Sequence, residues 1–187
     1  MKMNVKKTIL YTTILLFIIM FNFASKAQEN NDKFETRLFI TSSLQSWYEL
    51  PDVNNKIGFG ISGTIFGGIK TEDLYLGIGP HFATNSHVNN LNYYRTVNDF
   101  GLNLNLEMYD FFIIFGAGYS NVSITNTDNI YNLSETINFP SSIGHTRFMI
   151  GYKIYSILFG SISIVNYSDN SIQNNLNRTE LNIGLVF

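Results

Sequence analysis

The chain has 187 residues, with 12 Lys and Arg against 14 Asp and Glu, 45% hydrophobic and 15% aromatic residues, and no cysteine. A formal charge of −2 excludes the basic surface that nucleic acid selects. The missing cysteines exclude a disulfide scaffold, thiol chemistry and a lipid-anchored lipoprotein.

The first segment is a basic start (Lys2, Lys6, Lys7), an apolar run from Thr8 to Phe21 and the small-residue exit Ser25-Lys26-Ala27. This order describes a secretory signal peptide over residues 1–27. Four of the 12 basic residues and none of the 14 acidic ones lie there. Residues 28–187 therefore form one domain carrying 8 basic and 14 acidic groups, a formal charge of −6. No 18-residue apolar run follows, so any crossing of a membrane must use strands rather than helices.

From Lys33 onward the spacing predicts eight strands of side-chain period two. In the first, Phe34, Leu38, Ile40 and Leu44 alternate with Glu35, Arg37, Thr41, Ser43 and Gln45. The second sets Ile57, Phe59, Ile61, Ile65 and Ile69 against Gly58, Gly60, Ser62, Thr64, Gly68 and Lys70. The third sets Leu74, Leu76, Ile78 and Phe82 against Tyr75, Gly77, Gly79 and His81. The fourth sets Phe100, Leu102, Leu104 and Leu106 against Asp99, Gly101, Asn103, Asn105 and Glu107. The fifth, around Phe111 to Ile124, and the seventh, around Ile157 to Tyr167, alternate less cleanly and leave their registers open. The sixth sets Phe148, Ile150, Tyr152 and Ile154 against His145, Arg147, Gly151 and Lys153. The eighth sets Thr179, Leu181, Ile183, Leu185 and Phe187 against Glu180, Asn182, Gly184 and Val186.

Short turns at Lys70–Asp73, Met108–Asp110 and Tyr155–Ser156 alternate with long Asn-, Ser- and Asp-rich connections at Ser46–Lys56, Thr84–Tyr94, Asn121–Gly144 and Asn166–Asn175. The strand charges share a face with glycines and small polar residues, while the other face is nearly free of charge. A soluble barrel hides its apolar face inside, so this pattern is inside-out. Because lipid leaves no backbone group unpaired, strands survive there only as a closed barrel. The expected fold is all-β: an eight-stranded antiparallel up-and-down transmembrane β-barrel. Its lumen would hold Glu35, Arg37, Lys70, Glu107, Arg147, Lys153, Arg178 and Glu180. Of these, Glu35, Lys70, Glu107 and Lys153 are expected near the short turns, and Arg37 and Glu180 nearer the middle. Two aromatic girdles are expected. One comprises Trp47, Tyr48, Tyr93, Tyr94, Tyr119 and Tyr167 at the long-loop end; the other comprises Phe34, Tyr109, Phe111, Tyr155 and Phe187 at the short-turn end.

With these features the chain resembles the small eight-stranded outer-membrane barrels of Gram-negative bacteria, of the OmpX and OmpA-transmembrane-domain kind. Its Asn- and Ile-rich composition is similar to that of Bacteroidetes members. The resemblance implies that Leu181, Ile183, Leu185 and Phe187 form the signal read by the barrel-assembly machinery. It also implies contact with outer-membrane lipid and lipopolysaccharide, an extracellular ligand of unknown identity and a monomeric state. Family members differ in activity, so the fold does not deliver the function.

A lipid-modifying enzyme would need a histidine with a serine and an acidic partner. His81 and His145 fall on the inner face, while His87 follows Ser86 in a long loop within possible reach of Asp99 or Asp128. The stretch Asn166-Tyr167-Ser168-Asp169-Asn170 carries Asn166 where an outer-membrane lipid A deacylase needs its histidine. The three histidines lack metal-ligand spacing. No catalytic, cofactor or metal site is therefore expected. The favoured function is a non-enzymatic barrel presenting four surface loops for envelope integrity, interaction or adhesion. A rim-sited lipid acyl hydrolase or transferase and a small diffusion channel are the alternatives.

Overall fold

A computed structural model describes residues 33–47, 57–90, 93–128, 133–138, 142–168 and 177–187. The expected signal peptide, Tyr48 and most of the connections Ser46–Lys56 and Asn166–Asn175 lie outside these residues. The described chain forms β1 (Lys33–Trp47), β2 (Ile57–Lys70), β3 (Leu74–Asn90), β4 (Tyr93–Met108), β5 (Phe111–Asp128), β6 (Leu133–Asn138), β7 (Ile143–Lys153), β8 (Leu158–Tyr167) and β9 (Arg178–Val186). All pairings are antiparallel in the order β4-β3-β2-β1-β9-β8-β7-β5-β6, and β4 pairs back onto β5. Eight strands therefore close an up-and-down barrel, and β6 is a short addition to the far end of β5.

The registers fix the barrel's geometry. From Phe34, the cross-strand partners run Ile69, Leu76, Leu106, Ile113, Ile150, Ile162, Leu181 and back to β1 at Leu44. One circuit thus advances ten residues, a shear of 10, which for eight strands implies a tilt of roughly 40°. Every residue on that path is apolar and none points into the lumen. Phe34, Phe59, Ile61, Tyr109, Phe111, Tyr155, Leu181, Ile183 and Phe187 are each more than half exposed. An apolar band of this extent on a closed barrel is suited to lipid.

Two connections expected to be long polar loops are instead hairpins that continue the ladder. β3 runs to Asn90 and β4 starts at Tyr93, while β5 continues to Asp128 and pairs with β6 through Ser123–Asn138. These segments escaped the apolar/polar pattern because their outward residues, among them Thr84, Ser86, Thr96, Asn98, Asn121 and Ser123, are polar. They rise beyond the band, where period two no longer carries a hydrophobic signal. The barrel is therefore lopsided. β3, β4 and β5 have 17, 16 and 18 residues, against 11, 10 and 9 for β7, β8 and β9.

A two-residue turn joins Met108 to Phe111, and Tyr109 there adopts φ 55°. Two-residue hairpins of this hand favour glycine at that position. Tyr109→Gly is accordingly expected to exceed Tyr109→Val in stability by about 1–2 kcal/mol, because a β-branched residue tolerates positive φ worst. Denaturant midpoints of the two variants would measure the difference.

Candidate functional site

The interior is filled rather than open, and its contents lie in layers. At the short-turn end a chain of charge crosses the lumen. Lys70 Nζ lies 3.3 Å from Glu35, and Arg37 Nη2 donates to Glu35 at 3.2 Å. Arg37 also pairs with Glu107, as does Lys153. The Arg37 guanidinium lies 4.1 Å from the centre of the Tyr75 ring. Arg37 thus belongs to the short-turn cluster and does not share one with Glu180. The registers set Glu180 opposite Gln45, eight residues further along β1.

Directly above these charges is an aromatic layer. Phe39, Phe66, Phe112 and Phe159 are at most 3% exposed, and the Phe39 ring lies 5.2–5.4 Å from each of the other three. Phe112 and Phe159 meet edge-on at 5.1 Å. Two glycines make room for the rings. Gly151 is the cross-strand partner of Phe112, and a Cβ on it would fall 2.2 Å from that ring. Gly184 faces Phe159 in the same way, with 2.5 Å available. The four rings pack against one another as a single buried layer, a septum across the lumen.

The upper lumen is organised by Asp99, Arg178 and Glu180. Arg178, on the seam strand β9, donates from Nη2 to Asp99 at 2.6 Å on the opposite wall, from Nε to Glu180 at 2.8 Å, and from Nη1 to the Tyr167 hydroxyl. Its guanidinium also lies 5.0 Å from the Trp47 ring and 5.5 Å from the Tyr167 ring. Asp99 accepts in addition from Asn85 at 2.9 Å, Ser120 at 2.6 Å and Tyr167 at 3.1 Å. Glu180 accepts from Arg147 at 2.8 Å and Ser163 at 2.5 Å. Both carboxylates are thereby satisfied at 1–2% exposure, as buried charges require. Trp47, Val97, Val122, Ile143, Val165 and Tyr167 form a second apolar cluster over this network.

Trp47 and Tyr167 are therefore lumen residues, 4% and 1% exposed, and not girdle residues. The reason is parity: Trp47 follows Ser43 and Gln45 on the inward side of β1. Tyr119 does face outward, as do Phe34, Tyr109, Phe111, Tyr155 and Phe187 at the other end. Leu181, Ile183, Leu185 and Phe187 also lie on the outer surface, along the strand that pairs with β1.

All three histidines point into the lumen and are at most 5% exposed. His87 is in β3 rather than in a loop, with its ring 5.9 Å from that of Trp47. Arg147 Nη1 lies 2.9 Å from His81 Nε2, which must accept, so Nδ1 carries the proton and donates to Thr64 Oγ1 at 2.8 Å. Ser120, His145 and Asp99 meet, but in an order that does not activate the serine. Its single proton goes to Asp99, leaving it to accept from His145 Nδ1 at 2.7 Å. A nucleophilic triad needs the histidine between serine and carboxylate; here the serine is between them and fully buried. Among the described residues no group of three or more His, Cys, Asp or Glu side chains is placed to hold a metal ion.

Neither a protein-family model nor a curated protein matches the chain. Among solved structures it is similar to the N-terminal β-barrel domain of Pseudomonas aeruginosa OprF, with 11% identity, 83% of this chain and 100% of that one covered, and a TM-score of 0.56. It is also similar to Ail, the attachment invasion locus protein of Yersinia pestis. In complex with the heparin analogue sucrose octasulfate, Ail gives 11% identity, coverage of 83% and 99%, and a TM-score of 0.59. In a phospholipid bilayer nanodisc it gives 10%, 82% and 100%, and 0.53. At these identities the likeness is one of fold, the small transmembrane barrel of outer-membrane proteins.

Proposed function

We propose that the chain is a non-enzymatic integral protein of the bacterial outer membrane, of the OmpX type, exported through a cleaved signal peptide. It anchors a surface platform serving envelope integrity or adhesion. The carrying observation is the contrast between the two parts of the barrel. The lumen is sealed twice, by the four-phenylalanine septum and by the Trp47–Tyr167 cluster, while β3–β4 and β5–β6 are extended beyond the apolar band. A sealed interior supports neither a diffusion channel nor a solvent-reached active site, which leaves the outer hairpins and loops as the working surface.

The chemistry of that surface differs from what a sulfated ligand would select. Over 46–56, 88–94, 121–142 and 168–177 the sequence carries Glu49, Asp52, Asp128, Glu135 and Asp169 against Lys56 alone. The sucrose octasulfate seen on Ail is therefore not carried over, and a neutral or cationic partner is expected.

The test is to replace 121–142 by a two-residue turn in cells lacking the native gene. The shortened barrel is expected to reach the membrane and to fail in attachment or detergent resistance to the same degree as the deletion strain. Full activity of the shortened chain would overturn the proposal, and so would an altered lipid A profile after His81, His87 and His145 are changed to alanine. Assembly is expected to depend on the outward row Leu181, Ile183, Leu185 and Phe187. Deleting Phe187 should sharply lower the amount recovered in the outer-membrane fraction without altering the barrel that does assemble, as read by immunoblot.

A further inference from the structure

On the outer wall, three adjacent strands carry one row of rings beneath two rows of polar side chains. Phe82, Phe100 and Tyr119 are cross-strand neighbours on β3, β4 and β5, each 42–48% exposed, at the upper edge of the apolar band. The next outward row is Thr84, Asn98 and Asn121, and the one above it is Ser86, Thr96 and Ser123. All six are at least partly exposed, and none is charged. Thr84 Oγ1 donates to Asn98 Oδ1 at 3.0 Å, which orients that amide and leaves its NH2 group to serve as a donor. With strands about 4.8 Å apart and outward residues two positions apart, the polar grid measures roughly 10 by 7 Å. The opposite wall lacks this arrangement. There β8 ends at Tyr167 and β9 begins at Arg178, so each carries one outward polar residue, Asn166 or Thr179, above aliphatic Ile164 or Leu181.

We propose that this grid binds the sugar backbone of lipopolysaccharide in the outer leaflet, through the sugar hydroxyls and not the phosphates, an inference that rests on the membrane-spanning reading and deepens it. The grid is continuous with the lipid-facing band. An amphiphile whose acyl chains lie along the band holds its sugars where the band ends, which is where the grid stands. Pyranose hydroxyls both donate and accept, as do the Ser and Thr hydroxyls and the Asn amides, so pairing is available in either direction. The grid has the footprint of a disaccharide, and the apolar C–H face of a pyranose can pack on the rings beneath. Phosphate instead selects Lys and Arg. Arg95, on the same upper part of β4, is turned into the lumen at 5% exposure and does not face the grid.

The full chain can be reconstituted in phosphatidylethanolamine nanodiscs containing lipid A, lipid A stripped of its phosphates, or phosphatidylglycerol, and released into native mass spectrometry. One molecule of lipid A is expected to stay bound with or without its phosphates, and in the presence of a chelator, whereas phosphatidylglycerol is not. Through the loss of two hydrogen bonds of ordinary strength, Asn98→Leu combined with Asn121→Leu should retain about tenfold less of either form. Thr146→Leu combined with Asn166→Leu, a cross-strand pair outside the grid, should retain as much as wild type. Should the leucine pair at the grid not fold, Asn98→Ala with Asn121→Ala takes its place, with the same loss expected. Retention that requires phosphate or a divalent cation, undiminished retention by the folded grid variants, or equal loss in the pair outside the grid would each overturn the site. Failure of the membrane-spanning reading would show separately, as a wild-type chain without a heat-dependent gel shift.

Discussion

Replacing Arg178 by methionine is expected to lower stability by about 3–5 kcal/mol, the cost of removing one partner from a buried ion pair. Arg178 is fully buried and donates to Asp99, Glu180 and Tyr167, which lie on β4, β9 and β8. Methionine matches the length of the stem but leaves Asp99 and Glu180, at 1–2% exposure, short of their charged donor. Arg147 continues to serve Glu180 at 2.8 Å, so the larger part of the loss should fall on Asp99. That partition is testable. Adding Asp99→Asn to Arg178→Met should recover a substantial share of the loss, while adding Glu180→Gln should recover less and also strand Arg147. Urea unfolding in lipid vesicles, followed by Trp47 fluorescence, would measure the cycle. Trp47 is the chain's single tryptophan and its ring lies 5.0 Å from the Arg178 guanidinium. Additive losses across the cycle would contradict the network, because residues sharing one hydrogen-bonded cluster must couple.

The second large effect is expected at the septum. Phe112→Ala should cost about 3–5 kcal/mol, since it removes a 1%-exposed ring that packs against Phe39 and Phe159 and leaves a cavity. Gly151→Leu alone should also destabilise, because the side chain would have to occupy the space of the Phe112 ring. Together they should offset one another in part, the leucine filling the space that the phenylalanine vacates. A double variant less stable than either single one would show that ring and glycine do not share one packing site. The septum also bears on conductance. Wild type should be silent in planar bilayers, and stepwise currents would count against a closed lumen.

The barrel was legible in the sequence wherever one strand face meets lipid and the other meets packed polar groups. β9 illustrates this, with Leu181, Ile183 and Leu185 outward and Glu180 and Asn182 inward. The pattern blurs where a large apolar residue turns inward. Phe39 has the parity of Arg37 and Thr41, and Trp47 that of Ser43 and Gln45, so strict counting places both in the lumen. Hydrophobicity alone assigns them to the lipid. Asp99 as a hub was not legible, because its main donor Arg178 lies 79 residues away and becomes its neighbour only when β9 closes on β1. The extension of β3, β4 and β5 was hidden for a different reason. Outside the band the outward residues are polar like many of the lumen residues between them, and alternation of apolar with polar ceases to mark the strand.

The central claim, a closed barrel that spans the outer membrane with a packed lumen, is tested most directly by electrophoresis of fractionated cells with and without boiling. The expected result is a protein in the outer-membrane fraction whose unboiled form migrates apart from the boiled one, as a compact barrel that resists detergent must. A protein recovered in soluble fractions, with identical mobility before and after heating, would contradict it.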